Sequence, residues 1–346
     1  MQGFIRHARP HDVTVGPTIG RERMAHLSAV RTVAYGLHLE PAGGSGAALP
    51  EAGLRPIALS PVSLDAIPAL SASVPVVAWH RAAATERGWQ MDIVDAGPEG
   101  FVRGCSLLLT NDGRRLLHTE TEAWAIDTRW VFVSHVAIRS ILARLGALLL
   151  HGNVSLGEAG AIAVLGRSGA GKSSLAIALM QAGAPPLADD IVVPVQADGR
   201  WHVWPGHHET LAEAATLDRL GIDRDAWPPL WPVATPEEQK YRLSSPASSD
   251  PAPSSAAVPL AGIVLLDPRR AGRAAPTLTR ISAAAALGAL MPHCNWKEGA
   301  PDRQARLADL TDLATRVPIW RLSRPDSIDA LPQTADLILA TLGRGN

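Results

Sequence analysis

The sequence predicts an α/β protein in two parts: a smaller β-rich N-terminal region followed by a phosphate-loop domain. Three observations predict it. Gly166-Arg167-Ser168-Gly169-Ala170-Gly171-Lys172-Ser173 matches the phosphate-loop pattern G-x-x-x-x-G-K-[ST] in full, with a short apolar run before it and helical spacing after it. In the first third, two apolar runs flank Asn111-Asp112-Gly113, a hairpin signal because Asn and Gly accept positive φ. Beyond residue 129, strand-length apolar runs and helical stretches follow one another, which is the texture of an α/β domain.

Length and composition set outer limits. A chain of 346 residues, 47% hydrophobic, allows two domains and a sizeable core. A formal net charge of −1 argues against a broad nucleic-acid surface, so no nucleic-acid partner is expected. Cys105 and Cys294 are far apart and carry neither metal-ligand spacing nor a disulfide framework. The polar, irregular N-terminus does not read as a signal peptide. The apolar run from Ile141 to Leu150 is broken by Arg144 and is too short to span a bilayer. These features predict a reduced, cytoplasmic protein with no membrane partner.

Taken in order, residues 1–28 show no sustained period and read as a disordered tail, and 29–128 as the β-rich region. Within it, Val30–Leu39 reads as a strand, Ala42–Ala48 as a loop, and Trp89–Val94 as a strand. Cys105–Thr110 and Arg114–Thr119 read as the arms of the hairpin. Residues 129–346 read as the nucleotide domain. It opens with an amphipathic helix over Trp130–Leu145. Gly146–His151 is a strand candidate, and Gly157-Glu158-Ala159-Gly160 turns into a buried strand, Ala161–Leu165. A helix follows over Ser174–Ala182. Pro186–Val195 reads as a strand interrupted by two acids. Ala197-Asp198-Gly199 is a second hairpin turn leading into Arg200–Trp204, and Glu209–Leu220 reads as a helix. Ser244–Pro259 is a Ser/Pro/Ala-rich flexible loop. Leu260–Leu266 and Val317–Leu322 are strands; Ile281–Leu290 and Ile328–Leu342 are helices.

The chemistry of the loop follows from its residue types. Glycines at 166, 169 and 171 let the backbone turn its N–H groups inward, and the following helix adds its positive end, so anionic phosphates are held. Lys172 is placed to reach the β- and γ-phosphates, and the Ser173 hydroxyl to ligate Mg²⁺. The nucleotide-contacting set is therefore Gly166 to Ser173 together with Ser174, although Arg167 contributes only a side chain that could equally face solvent.

Asp189-Asp190 stand seventeen and eighteen residues beyond Lys172. Carboxylates there can hold Mg²⁺, directly or through water, or accept the proton of an attacking hydroxyl. Adjacent residues of an extended chain point opposite ways, so the two acids are expected to have different tasks. The plainer alternative is a helix cap or a surface ion pair. His151-Gly152 lies fifteen residues before Gly166. A lone His after an apolar run is more often structural than catalytic.

The set His151-Gly152, Gly166 to Ser173 and Ala188-Asp189-Asp190 resembles the HPr kinase/phosphorylase family. More narrowly, the chain resembles the short HPr-kinase-like proteins found beside peptide-modification genes, including those of lasso peptides. Tyr35-Gly36-Leu37, Trp204-Pro205-Gly206, Leu260 to Pro268 and Val317 to Leu322 share in that resemblance. It is strong over about residues 145–195 and fainter over most of 30–342. It implies a domain of the HPr kinase / phosphoenolpyruvate carboxykinase type and ATP- and Mg²⁺-dependent transfer of the γ-phosphoryl group to a serine of a peptide or protein, with a ribosomal precursor peptide as the favoured acceptor. It further implies that one Asp of the pair activates the serine, taken here as Asp190, while Asp189 serves the metal with Ser173. His151 would lie beside the transferred phosphate. The family's bifunctional members form hexamers, so a homo-oligomer is left open. Where those members carry an Arg-Gly-Leu-Gly-Ile segment, this chain has His207-His208-Glu209, so phosphorylase activity is not expected.

Smaller signals have bland readings beside them. Asp267-Pro268 resembles the acid at the end of a nucleotide-domain strand, but is also an ordinary turn start. His207-His208 lacks a third metal ligand at useful spacing. Lys240 and Arg242 stand in a charged run that could reach a phosphate or face solvent. Two rival functions remain: a nucleotide-dependent peptide-binding module without catalysis, and a small-molecule kinase.

Overall fold

The computed structural model describes residues 32–34, 37–41, 55–62, 67, 69–71, 80–97, 100–113, 115–119, 138–229, 239–244, 256–269, 275–294 and 303–343. Both expected boundaries, after 28 and after 128, fall outside them.

The N-terminal strands are β1 (Thr32–Ala34), β2 (Leu37–Pro41), β3 (Arg55–Val62), β4 (His80–Thr85), β5 (Gly88–Gly97), β6 (Gly100–Thr110) and β7 (Arg115–Thr119). They form one sheet in the order β1-β2-β3-β7-β6-β5-β4. The Asn111-Asp112-Gly113 hairpin is present: Leu109 pairs with Leu116, and Gly113 turns the chain at φ 68°. One expectation needs correction. The single strand over Val30–Leu39 is a hairpin, β1 pairing with β2 through Ala34 and Leu37. Pairing in the sheet is mainly antiparallel, with β2–β3 and β3–β7 parallel. Parallel neighbours cannot be joined by a tight hairpin turn.

The larger sheet begins with β8 (Gly152–Gly157) and β9 (Gly160–Leu165), an antiparallel hairpin about the predicted glycine turn. Next come β10 (Pro186–Ala188), β11 (Pro194–Ala197), β12 (Arg200–Val203), β13 (Glu209–Glu213), β14 (Lys240–Ser244), β15 (Val258–Leu266), β16 (Thr277–Arg280) and β17 (Ile319–Ser323). β15 is the spine. It runs parallel to β9 on one side; on the other, its first residues pair with β12 and its last with β17. β10 lies outside β8, and β13–β14 form a separate ribbon.

Described helices are α1 (Ile138–Arg144), α2 (Lys172–Gln181), α3 (Ala214–Arg219), α4 (Ala283–Leu290), α5 (Arg303–Arg316) and α6 (Leu331–Ile338). They cover both faces of the sheet. Ala161, Ala163 and Leu165 of β9 share a core with α1, α4 and α5, while Ile162 and Val164 pack with α2 and α6. A strand buried on both faces has no place for polar alternation, which is why Ala161–Leu165 is apolar throughout. Met91, Leu107, Leu109 and Leu116 of the N-terminal sheet join the first of these cores, beside Ile141 and Leu142 of α1.

Four further expectations change. Gly146–His151 is not a strand; only Leu150 makes bridges, to Val192 and Cys294, and the strand is β8 instead. Its residues Asn153 and Ser155 are polar yet buried, which hid it from an apolar pattern. The acids Asp189 and Asp190 lie in a bend after β10, not within a strand. Glu209–Leu220 is β13 followed by α3, because pairing with β14 overrides the helix preference of Leu, Ala and Glu. In the Ser/Pro/Ala-rich stretch 244–259, Ser244 ends β14 and Val258 begins β15, while 245–255 lie outside the described residues. No helix of the described residues is long and apolar enough to cross a membrane.

Candidate active site

Five strands bring their ends together at one end of the larger sheet. β9 delivers the phosphate loop. β8 starts beside the end of β9, Gly152 opposite Leu165, and so brings His151 there. β10 runs antiparallel to β8, Ala188 opposite Val154, and brings the acid pair to the same edge. β15 and β17, parallel to β9, end there too. Ligands of open α/β sheets bind in such a crevice, outside the carboxyl ends of the strands.

The loop is built for an anion. Gly169 and Gly171 take φ of 74° and 89°. Gly171 caps α2 and no side chain satisfies the helix's first N–H groups, so those donors remain for a ligand. Arg167, Ser168 and Gly169 are exposed; Ala170 to Ser174 are half-buried. The Lys172 ammonium folds back over the loop, donating to the Gly166 carbonyl at 3.0 Å and the Arg167 carbonyl at 3.3 Å. Its pKa is lowered by burial, although Asp190 and Asp189 pull it back up. An incoming polyphosphate fits this cradle, because it supplies the charge that a half-buried ammonium and uncapped amides lack.

A chain of polar and charged groups runs from that lysine. Lys172 Nζ is 3.0 Å from His151 Nε2, and His151 Nδ1 lies 3.1 Å from Asp190 Oδ1. With the proton on Nδ1, the imidazole donates to Asp190, whose backbone carbonyl and Oδ1 each lie 3.1 Å away, and its Nε2 accepts from Lys172. Asp190 Oδ2 pairs with the Arg139 guanidinium from α1. Burial works to raise the Asp190 pKa, but the His151 hydrogen bond and the Arg139 charge outweigh it and hold the carboxyl below its usual range. Its side chain is still 46% exposed, so the carboxylate is accessible.

Asp190 has φ 63°, a left-handed conformation that Asp adopts more readily than most residues. That bend sends its neighbour elsewhere. Asp189 Oδ1 accepts from the Asp190 amide at 2.7 Å, and Oδ2 from Thr210 Oγ1 at 3.1 Å and from the Leu211 amide of β13. Burial pushes its pKa up to about 6, although the Leu211 hydrogen bond opposes that. The two acids therefore have separate surroundings, one among cations and one among neutral donors.

The requirements of Mg²⁺ can be set against these groups. The ion takes one or two carboxylates with substrate phosphates and waters, not an all-protein cage. Ser173 in the first turn of α2 and the Asp189 carboxylate are of the type that fits that use, Asp189 acting through water. The His207-His208 signal finds no support: among the described residues no three His, Cys, Asp or Glu gather to hold a metal.

Sequence reasoning missed three residues here. Arg139 is fifty-one residues from Asp190, and Thr210 twenty-one from Asp189. Arg324, in the loop after β17, is 2% exposed and donates to the Ala170 carbonyl. A Cβ on Gly171 would lie 2.9 Å from its Nη2, so any larger residue there would push the guanidinium off its present position. Arg324 Nη1 is buried without a described partner. No local pattern marks any of the three. Of the smaller candidates, Arg242 is engaged by the buried Glu209 at 2.8 Å. Lys240 is exposed and near enough to Lys172 and Asp190 to bias both electrostatically. Asp267 accepts from Ser323 Oγ at 3.2 Å.

No protein-family model and no curated protein matches the chain. Among solved structures, it is similar to the HPr(Ser) kinase/phosphatase from Coxiella burnetii at 11% identity and a TM-score of 0.28, over 56% of this chain and 95% of that one. A likeness that loose carries no chemistry, so the reading of the site rests on its own residues.

Proposed function

We propose that the protein is an ATP- and Mg²⁺-dependent kinase that transfers the γ-phosphoryl group to a serine of a peptide or protein. One observation carries the reading: the Lys172–His151–Asp190–Arg139 relay sits at the mouth of an uncapped anion-binding loop. A module that only bound nucleotide would need the loop but not an accessible carboxylate fixed beside the lysine.

Phosphoryl transfer asks little covalent work of the protein; positioning and charge do most of it. Loop amides and Lys172 hold the phosphates. Asp190, kept ionised, accepts a hydrogen bond from the acceptor hydroxyl and orients it. Arg139 fixes that carboxylate, and His151 links it to Lys172 so that the two move together. Ser173 and Asp189 would hold Mg²⁺, which would neutralise phosphate charge. A half-exposed Asp190 suits a hydroxyl presented on a polypeptide better than a small molecule enclosed in a cavity, and a ribosomal precursor peptide is the acceptor to try first.

The test is transfer of labelled γ-phosphate from ATP to serine-containing peptides, with the products read by mass. Label on serine that disappears with Lys172→Ala is the expected result, with a loss of at least about a thousandfold. ATP binding without transfer to any peptide, protein or small acceptor would leave the binding module as the correct reading.

A further inference from the structure

Arg324 is a buried cation without an anion of its own. It directly follows β17 and is 2% exposed. Its Nη2 donates to the Ala170 carbonyl of the phosphate loop. Its Nη1 is buried and has no partner among the described residues. Asp326 and Asp267 are the acids whose charges act on it, and each faces another arginine. Asp326 pairs with Arg269 at 3.2 Å, and Asp267 lies 3.7 Å from Arg321. Burial first, and then the Arg269 charge, lower the Arg324 pKa against the pull of those two acids. A guanidinium stays ionised even so.

The neighbouring helix is unfavourable to it as well. Nη2 lies against Gly171, the residue that caps α2, so the guanidinium sits at the positive end of that helix. Lys172, the first residue of α2, brings a second cation to the same end. A buried charge so placed weakens the ligand-free fold, and an apolar side chain of similar volume often serves stability better. The arrangement suits a molecule that brings negative charge. The Ala170–Gly171 peptide is where the two meet. A trans peptide is planar, so its C=O and N–H point opposite ways. With the carbonyl held by Arg324, the Gly171 N–H faces away from the guanidinium.

We infer that Arg324 is a positioning residue for the phosphates of the nucleotide: it fixes the Ala170–Gly171 peptide with its amide turned to the phosphates, and only a bound polyphosphate compensates its buried charge. The inference rests on the nucleotide-binding half of the kinase reading. It adds a residue that acts through the loop and not on the transferred phosphorus.

The experiment uses the full-length chain and two variants. Arg324→Met removes the charge and keeps the bulk; Arg324→Lys keeps a cation. Affinity for ATP with Mg²⁺ is measured by equilibrium titration, and stability without nucleotide by the urea midpoint. Arg324→Met should bind ATP about tenfold or more weakly, while its urea midpoint equals or exceeds that of wild type. Arg324→Lys should recover ATP affinity to within about threefold of wild type. In turnover, the KM for ATP should rise in Arg324→Met, with the KM for the peptide changed less than about twofold. ATP affinity within about twofold of wild type in Arg324→Met overturns the inference. So does an Arg324→Lys variant as weak as Arg324→Met. If Arg324→Met lowers the urea midpoint, Arg324→Lys decides. Affinity that returns while the midpoint stays low supports the inference; affinity and midpoint that return together make Arg324 a structural brace and overturn it. Failure of the kinase reading looks different: Arg324→Met would still weaken ATP binding, with no transfer by wild type to any acceptor.

Discussion

Asp92 in the N-terminal sheet and Asp190 after β10 show two ways to keep a carboxylate in a folded chain. Asp92 is 2% exposed, and neutral donors surround it. Gln90 Nε2 and Ser106 Oγ each donate to its Oδ1 at 2.7 Å, and the Leu70 amide donates to Oδ2 at 2.7 Å. That network is sealed and ties the 69–71 segment to β5 and β6. Asp190 is open to solvent, faces Arg139 and His151, and sits in a left-handed bend. A closed set of neutral donors stabilises a fold and offers nothing to a ligand. An accessible anion among cations, beside a loop with unmet donors, is arranged for a molecule that has yet to arrive. Asp189 stands between the two, with neutral donors like Asp92 but in the site like Asp190.

The largest effect that could break this contrast is on turnover. Asp190→Asn keeps the shape but removes the charge that orients the hydroxyl. Transfer should fall by about a hundred- to ten-thousandfold, with ATP affinity changed only a few-fold, when single-turnover rates are set beside binding titrations. If ATP affinity falls as far as the rate, Asp190 is part of the phosphate cradle and the contrast with Asp92 loses its point.

The matching change at the other carboxylate should do the reverse. Asp92→Ala removes the acceptor of three donors, two of them buried, which costs about 3 kcal/mol of stability by denaturant titration. The transfer rate of the folded fraction should stay within about twofold. A large loss of rate in a fully folded sample would mean that the N-terminal sheet takes part in the chemistry.

Asp189 predicts a pH signature. Burial raises its folded pKa to about 6, above the roughly 3.9 of an unfolded Asp. In that window the folded state binds more protons than the unfolded one. The residue's contribution to stability is therefore full below about pH 4 and lost as pH rises through about 6. Stability of Asp189→Asn relative to wild type should accordingly rise between about pH 4 and 6.5, read as a difference in urea midpoints. A flat difference would show that the Leu211 and Thr210 hydrogen bonds already offset the burial.

Much of this site was legible because its strongest parts are local. Gly166 to Ser173 must be contiguous to wrap a phosphate, and the strand and helix flanking it are equally contiguous. His151 and the Asp pair were legible as candidates by their spacing, since His151 precedes β8, the neighbour of β9, and the acids follow β10, the next strand out, at the same end of the sheet. Arg139, Thr210 and Arg324 were not, because their partners come from remote elements and an arginine or threonine in a helix, strand or loop is unremarkable by itself. The fold was least legible where pairing overrides local preference. β13 carries helix formers and is held as a strand by β14; β8 buries Asn153 and Ser155, with Asn153 Nδ2 3.5 Å from Thr210 Oγ1. Buried polar residues thus obscured the strand that brings His151 to the site.

Cys294 sharpens the comparison at its smallest scale. It is a third buried titratable group, 7% exposed, close to the site through its bridge with Leu150. No donor set comparable to that of Asp92 holds its ionised form. Burial pushes its pKa up to about 11 and the Arg306 charge only partly opposes that, so the thiol stays protonated. The folded state then binds more protons than the unfolded one between about pH 9 and 11, and stability from this residue is lost as pH rises through about 11. Peptide-mapped alkylation at pH 8 should modify Cys294 only as fast as the chain opens, with a thiolate fraction in the native state near about 0.1%. Rapid native-state modification at pH 8 would mean that the region behind His151 is open to solvent, and the division between sealed and receptive groups would have to be redrawn there.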